Sequence, residues 1–153
     1  PLVIYKCYQK EPIPLYGDGS QIRDWLFIED HIDAILLVAT KANPGTNYCI
    51  GGNGEKSNKE VVENICLILD KYLKREIRHV DLINHVEDRP GHDFRYAIDY
   101  SRIKNEFGWR PKHKFQEGLE ITISWYLDNL DWVEKVSQKS NYRYERLGLI
   151  SEK

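Results

Sequence analysis

"YCIGGNGEKSNKEVVENICLILDKYL", residues 48–73, passes from an apolar, aromatic run through clustered glycines to a long amphipathic stretch. Its start belongs to TNYCIGG (46–52), which has the β-branched and aromatic content of a buried strand. Gly51, Gly52 and Gly54 then turn the chain, and Ser57-x-x-Glu60 forms a capping box opening a helix over NKEVVENICLILDKYL. A strand, a glycine-rich turn and a capped amphipathic helix in succession point to an α/β protein.

Working outward toward the amino terminus, PLVIYKCYQKE keeps apolar residues at 2, 3, 4 and 7 and reads as the tail of a helix. IPLYGDGSQ reads as a short strand and a turn, since Gly17 and Gly19 can take the positive φ that tight turns need. RDWLFI is a further strand, after which Asp30 is placed to cap the helix HIDAILLVATKA, apolar at 32, 35, 36 and 38. Pro44-Gly45 ends it.

Toward the carboxyl terminus, IRHVDLI is expected to be a short strand, followed by the loop DRPGHDFRY (88–96). Asp99 or Ser101 caps a short helix stopped by Gly108, and KFQEGLEITISWYLDNL is the last long amphipathic helix. The strands are few and short, so a full doubly wound sheet is not expected. A small mixed α/β unit over residues 1–132 fits better, with a polar extension over 133–153, helical at first and frayed later.

The 153 residues, 41% hydrophobic and 30% charged, suffice for one ordinary domain with a real core. Basic and acidic residues, 22 and 24, nearly cancel without a single-sign block, which argues against a nucleic-acid partner. No apolar run approaches the roughly 18 residues of a membrane span and no leader opens the chain, so a soluble, cytoplasmic protein without a membrane partner is expected. Cys7, Cys49 and Cys66 are odd in number and sit in apolar stretches, which reads as buried thiols. The five histidines lack H-x-x-x-H or H-E-x-x-H spacing, so no metal is expected. The absence of Met and the start at Pro1 read as a piece of something longer.

Three motifs carry chemistry. Gly52-x-Gly54-x-x-Ser57 imitates the dinucleotide fingerprint, but Ser stands where the third glycine belongs and no acidic residue follows at the expected distance. Direct dinucleotide binding is therefore not expected there. What survives is a helix start whose N–H groups favour an anion, with Asn58 at its mouth, although capping alone also explains Asn58. Arg23, between a turn and a strand, is explained either by pairing with Asp24 or Asp18 or by a ligand. Arg89 and His92 bracket Pro90-Gly91, so that a guanidinium fork and an imidazole can meet one phosphate; a solvated loop is the alternative. Tyr100-x-x-x-Lys104 is a spacing that ten tyrosines produce by chance and reads as the face of a short helix.

Taken together, PLYGDGSQIRDWLFIEDH, YCIGGNGEKSN, DRPGHDFRYAID and EFGWRPKHKFQEGLEITISWYLDN resemble the carboxyl-terminal part of the dTDP-glucose 4,6-dehydratase family, within the extended short-chain dehydrogenase/reductases. The likeness runs from Pro1 to about Trp132. It implies a substrate-binding portion lacking most of the Rossmann sheet. Arg23, Asn58, Arg89 and His92 correspond to ligands of the diphosphate of a dTDP-sugar, and Pro14 to Tyr16 to the strand lining the thymine pocket. Cys49 stands where many relatives have Asn. The resemblance also implies that Asp88 and Asp93 hold the loop and its arginines in position, and that the parent is a lyase using tightly bound NAD. In that picture the glycine cofactor turn, the Tyr-x-x-x-Lys dyad and the acid/base pair sit in an upstream half, so no catalytic residue and no bound cofactor are expected here. The piece alone is expected to be inactive, and the parent to be a homodimer. Another nucleotide-sugar epimerase or decarboxylase, or a non-catalytic diphosphate-binding module, are the alternatives.

Overall fold

The computed structural model describes residues 1–74 and 76–139. Its core forms around the capped helix at the centre of the chain, α3 (Asn58–Leu73), which buries Val61, Val62, Ile65, Cys66, Ile68 and Leu69 as one stripe at helical spacing. Against that stripe lie Ile4 and Cys7 of α1 (Leu2–Gln9), Ile13 and Leu15 of β1 (Ile13–Tyr16), and Ile123 of α5 (Phe115–Asp128). Truncating a fully enclosed member such as Leu69 to Ala leaves a void and costs about 2–5 kcal/mol.

Alternation along β1 sets up the site. Ile13 and Leu15 enter the core, which leaves Pro14 and Tyr16 half-buried on the other face. β1 pairs in parallel with β4 (Ile83–Val86), and β2 (Ile22–Asp24) pairs antiparallel with β3 (Glu55–Ser57), giving two separate two-stranded sheets among the described residues. The turn between β1 and β2 puts Gly17 at φ 57° and Gly19 at φ 76°. It is pinned to β4 by Gly17 N donating to Val86 O (2.9 Å) and His85 Nδ1 to Gly17 O (2.7 Å).

A second, smaller cluster of Ala34, Ile103 and Trp109 joins α2 (Ile28–Lys41) to α4 (Ser101–Phe107), with Tyr100 edge-on to Trp109. Tyr100 thus precedes α4 and packs inward, while Lys104 is exposed, so the pair does not share a helix face. Neither Asp99 nor Ser101 is the cap: Tyr100 stands at that position without a side-chain cap bond, Ser101 is the first helical residue and donates its N–H to Asp99 Oδ1 (2.8 Å), and α4 ends at Gly108, φ 72°. α6 (Leu130–Lys139) runs across the division expected at 132/133, with Val133 just past it buried, and residues 140–153 lie outside the described residues. No helix among the described residues is long and apolar enough to cross a membrane.

Several expectations are corrected. The strand foreseen over RDWLFI stops at Asp24, and α2 starts at Ile28 after Phe27. Asp30 is therefore not the cap but a first-turn residue, 1% exposed, accepting from His113 N (3.0 Å) and Nδ1 (3.1 Å). Burial opposes its ionisation, yet the His113 backbone and side chain and the Lys112 N–H together hold its carboxyl below the ordinary value.

TNYCIGG forms no strand: it runs without a ladder partner, and Cys49 is exposed rather than buried. Cys7 and Cys66 are buried as expected, and their mutual hydrogen bond, with burial, pushes the Cys7 thiol up. IRHVDLI divides into a 3-10 turn (His79–Leu82) and the start of β4, because Asp70 captures both N–H and Nδ1 of His79 and tightens the backbone there. α2 is helical as its spacing predicts, but it buries Ala34 while Ile32, Ile35 and Leu36 stay exposed.

Candidate functional site: a polar network around Asp88

The donors of loop 88–96 are organised by one carboxylate. Asp88 Oδ1 accepts from Arg89 N (2.8 Å) and His92 Nδ1 (2.6 Å), and its Oδ2 accepts from Gln21 Nε2 (2.8 Å). Because an ionised carboxylate only accepts, Nδ1 of His92 carries the proton in this contact. The His92 imidazole, followed by the Arg89 N–H and the Gln21 amide, keeps the Asp88 carboxyl below its usual range. Tyr16 completes the cluster, edge-on to His92 (6.3 Å between centroids) with the Arg89 guanidinium over its ring (5.8 Å). A cation over an aromatic face is held without spending its N–H fork, which stays open to a ligand.

Arg23 reaches the same loop from β2. Its Nη1 donates to Ile22 O (2.6 Å) and its Nη2 to Asp93 O (2.9 Å), with Tyr96 under the guanidinium at 5.6 Å. Pairing with Asp18 or Asp24 is thereby overturned: Asp18 Oδ1 accepts from Ser20 N, and Asp24 is engaged elsewhere. It is the backbone carbonyl of Asp93, not its carboxylate, that steadies Arg23. The loop is stitched to β2 by Ile22 N donating to Phe94 O and Tyr96 N to Ile22 O. A two-pronged ion pair from Arg95 to Glu55 (2.8 and 2.7 Å) ties it to β3.

Asn58 is the first residue of α3, and its N–H donates to Gln21 O (2.9 Å). Lys59 N donates to Gly19 O (2.9 Å) and Glu60 N to Ser57 Oγ (3.2 Å). The helix start read from the sequence as an open anion site is thus closed by the protein's own acceptors; what Asn58 has left to offer a ligand is its side-chain amide.

The glycine turn is closed in the same way. Asp24 accepts from Gly52 N (2.9 Å) and Gly54 N (2.8 Å), and a Cβ on Gly52 would lie 2.2 Å from Trp25 O. A turn whose N–H groups are capped by a carboxylate and whose Cα packs on backbone has no room for a pyrophosphate. The chain's own glycine loop does not fit NAD.

The structure therefore joins Tyr16, Arg89 and His92 directly and links Arg23 and Asn58 to them through Asp93 O and Gln21 O. Pro14 lies on the same face of β1 as Tyr16. Arg23 also lines an open hollow of about 330 Å³ with Asp24, Tyr96 and Ile98, to which Asn58, Arg89 and His92 do not contribute. Gln21 is the member sequence reading missed. It is 5% exposed, and a Gln beside a glycine turn gave no signal of burial. Among the described residues, no group of three His, Cys, Asp or Glu could hold a metal ion.

The chain is 50% identical over 150 residues to the dTDP-glucose 4,6-dehydratase of Xanthomonas campestris pv. campestris (strain B100), covering 97% of this chain and 42% of that one. The dTDP-glucose 4,6-dehydratase of Bacillus anthracis str. Ames, solved in complex with NAD, superposes with a TM-score of 0.75 at 45% identity, over 86% of this chain and 40% of that one. That of Streptomyces venezuelae, solved with NAD and TYD bound, gives 0.75 at 36% identity, over 86% and 39%. The chain spans about two fifths of the length of these relatives. The family model described as GDP-mannose 4,6 dehydratase matches residues 2–122, and on that match the chain belongs to this family of extended short-chain dehydrogenase/reductases.

Proposed function

We propose that this chain is the nucleotide-sugar-binding portion of a dTDP-glucose 4,6-dehydratase, with Arg89, His92, Arg23 and Asn58 as ligands of the diphosphate and Pro14 and Tyr16 beside the thymine. The single observation that carries the reading is the Asp88 network. It takes up the Arg89 N–H and the imidazole Nδ1 proton internally and leaves the Arg89 fork, over Tyr16, for an external acceptor. Two donor side chains converging on one aromatic ring suit a doubly charged linkage flanked by a planar base.

The relatives carry the name dTDP-glucose 4,6-dehydratase, and the activity that belongs to this reading is conversion of dTDP-glucose to its 4-keto-6-deoxy product by NAD-mediated hydride transfer and loss of water. The chain then binds and orients the nucleotide, while NAD and the reacting groups are held by the part of the protein that the relatives have and this chain does not span. The exposed apolar side chains of Ile32, Ile35 and Leu36 are supporting detail, since a companion portion would cover them. A homodimeric parent belongs to the same proposal.

The test is calorimetric titration of dTDP into the full-length protein and its Arg89→Ala variant. Loss of about 2–3 kcal/mol of binding free energy is expected when a charged, hydrogen-bonding partner is removed. Unchanged affinity removes Arg89 from the site.

A further inference from the structure

The Asp88 network contains an asymmetry that loop anchoring leaves unexplained. The side chain of His92 is 4% exposed and lies against Tyr16, so its orientation is set by the partner of one nitrogen. A histidine ring has two flip states, and the group bonded to one nitrogen decides which nitrogen faces a ligand. Here Asp88 takes the Nδ1 proton, so Nε2 is the ring nitrogen left to face a ligand, and it donates to a phosphate oxygen in the doubly protonated ring.

Gln21 fixes the carboxylate in turn. Its Nε2 donates to Asp88 Oδ2, while its Oε1 is buried with no partner, a cost that its alignment on Asp88 imposes. Through its main-chain oxygen the same residue holds Asn58 N at the start of α3. One residue thus sets the register between two segments that each carry a diphosphate donor.

We propose that Asp88 and Gln21 are positioning residues of the diphosphate site: Asp88 locks His92 in the flip state that presents Nε2, and Gln21 registers that carboxylate against α3. The inference rests on the diphosphate reading above. It extends that reading to two residues that themselves need not touch the ligand.

The experiment uses the full-length protein, with dTDP as the titrated probe and dTDP-glucose as substrate. Asp88→Ala should weaken dTDP binding about tenfold and raise KM in parallel, with kcat within about twofold, because a positioning loss falls on ground-state binding. Asp88→Asn keeps an acceptor for Nδ1 and can turn its amide toward Gln21 Oε1, so it should recover to within about threefold of the unaltered protein. Gln21→Met should cost about threefold. In the unaltered protein, the nitrogen resonances of the His92 ring should show Nδ1 protonated throughout and Nε2 responding to dTDP.

Asp88→Ala binding dTDP normally, Asp88→Asn as impaired as the alanine variant, or a silent Nε2 each overturns the proposal. The nitrogen spectra decide the matter even if an Asp88 variant fails to fold. If Arg89→Ala and His92→Ala also bind dTDP normally, the diphosphate reading itself has failed. If those two lose affinity while Asp88→Ala does not, only the positioning role falls.

Discussion

The glycine turn at 51–54 and the loop at 88–96 look alike as sequence: both are short, glycine-containing and placed where an anion could sit. In the folded chain they are opposites. At the turn, a carboxylate from β2 fills the anion's place, with Asp24 accepting from Gly52 N and Gly54 N. At the loop, the carboxylate of Asp88 takes the backbone proton and one imidazole nitrogen but leaves the guanidinium of Arg89 over Tyr16. What separates them is which donors the protein has already satisfied, and a glycine pattern says nothing about that.

The same methyl group placed on each segment should have very different consequences. Gly52→Ala drives a Cβ to within 2.2 Å of Trp25 O, where backbone must move, so unfolding free energy should fall by at least about 3 kcal/mol in denaturant melts. A melt indistinguishable from the unaltered protein would mean the turn is looser than its contacts imply. Next in size is Asp24→Ala, which strands two N–H groups at once and should cost about 2 kcal/mol of stability. Its effect on dTDP affinity should be small. If it binds dTDP more tightly, the turn is an anion site after all, held shut by its own carboxylate.

How much of this could be read in the sequence depends on the range of the interactions involved. α3 is legible to the residue because its capping box is local, Ser57 and Glu60 satisfying each other three positions apart. The turn glycines 17 and 19 are legible for the same reason. TNYCIGG misleads because strand-like composition does not provide a neighbouring strand, and among the described residues none pairs with it. Asp30 reads falsely as a cap because its partner, His113, lies 83 positions away. The candidate site divides likewise: Arg89 and His92 are visible beside a Pro-Gly turn, whereas Gln21 gains its meaning from Asp88, 67 positions on. β3 goes unforeseen because it is three residues long and exists only through pairing with β2.

Smaller effects sharpen the contrast from the loop's side. Gly91 has φ 69°, and nothing lies within 4 Å of where its Cβ would stand, so Gly91→Ala meets only the left-handed backbone penalty, about 1 kcal/mol. That is a fraction of the cost expected at Gly52, and it should appear as a modest loss of dTDP affinity more than as a lower melting point.

The finest test is the titration of Asp88 itself. Its carboxyl is held below its ordinary value, first by the His92 imidazole, then by the Arg89 N–H and the Gln21 amide. A group whose folded value is depressed contributes its stabilisation above the unfolded value, about 3.9 for Asp, and loses it as pH falls through the folded one. The loop contacts should therefore be intact at neutral pH and mildly acidic pH and loosen only below the ordinary aspartate range. Carbon-13 shifts of the Asp88 carboxyl should show a midpoint below that range, moving up toward it in His92→Ala because the leading cause of the depression is gone. An Asp88 midpoint insensitive to His92 would mean that the two side chains do not share the proton contact on which the organisation of the loop depends.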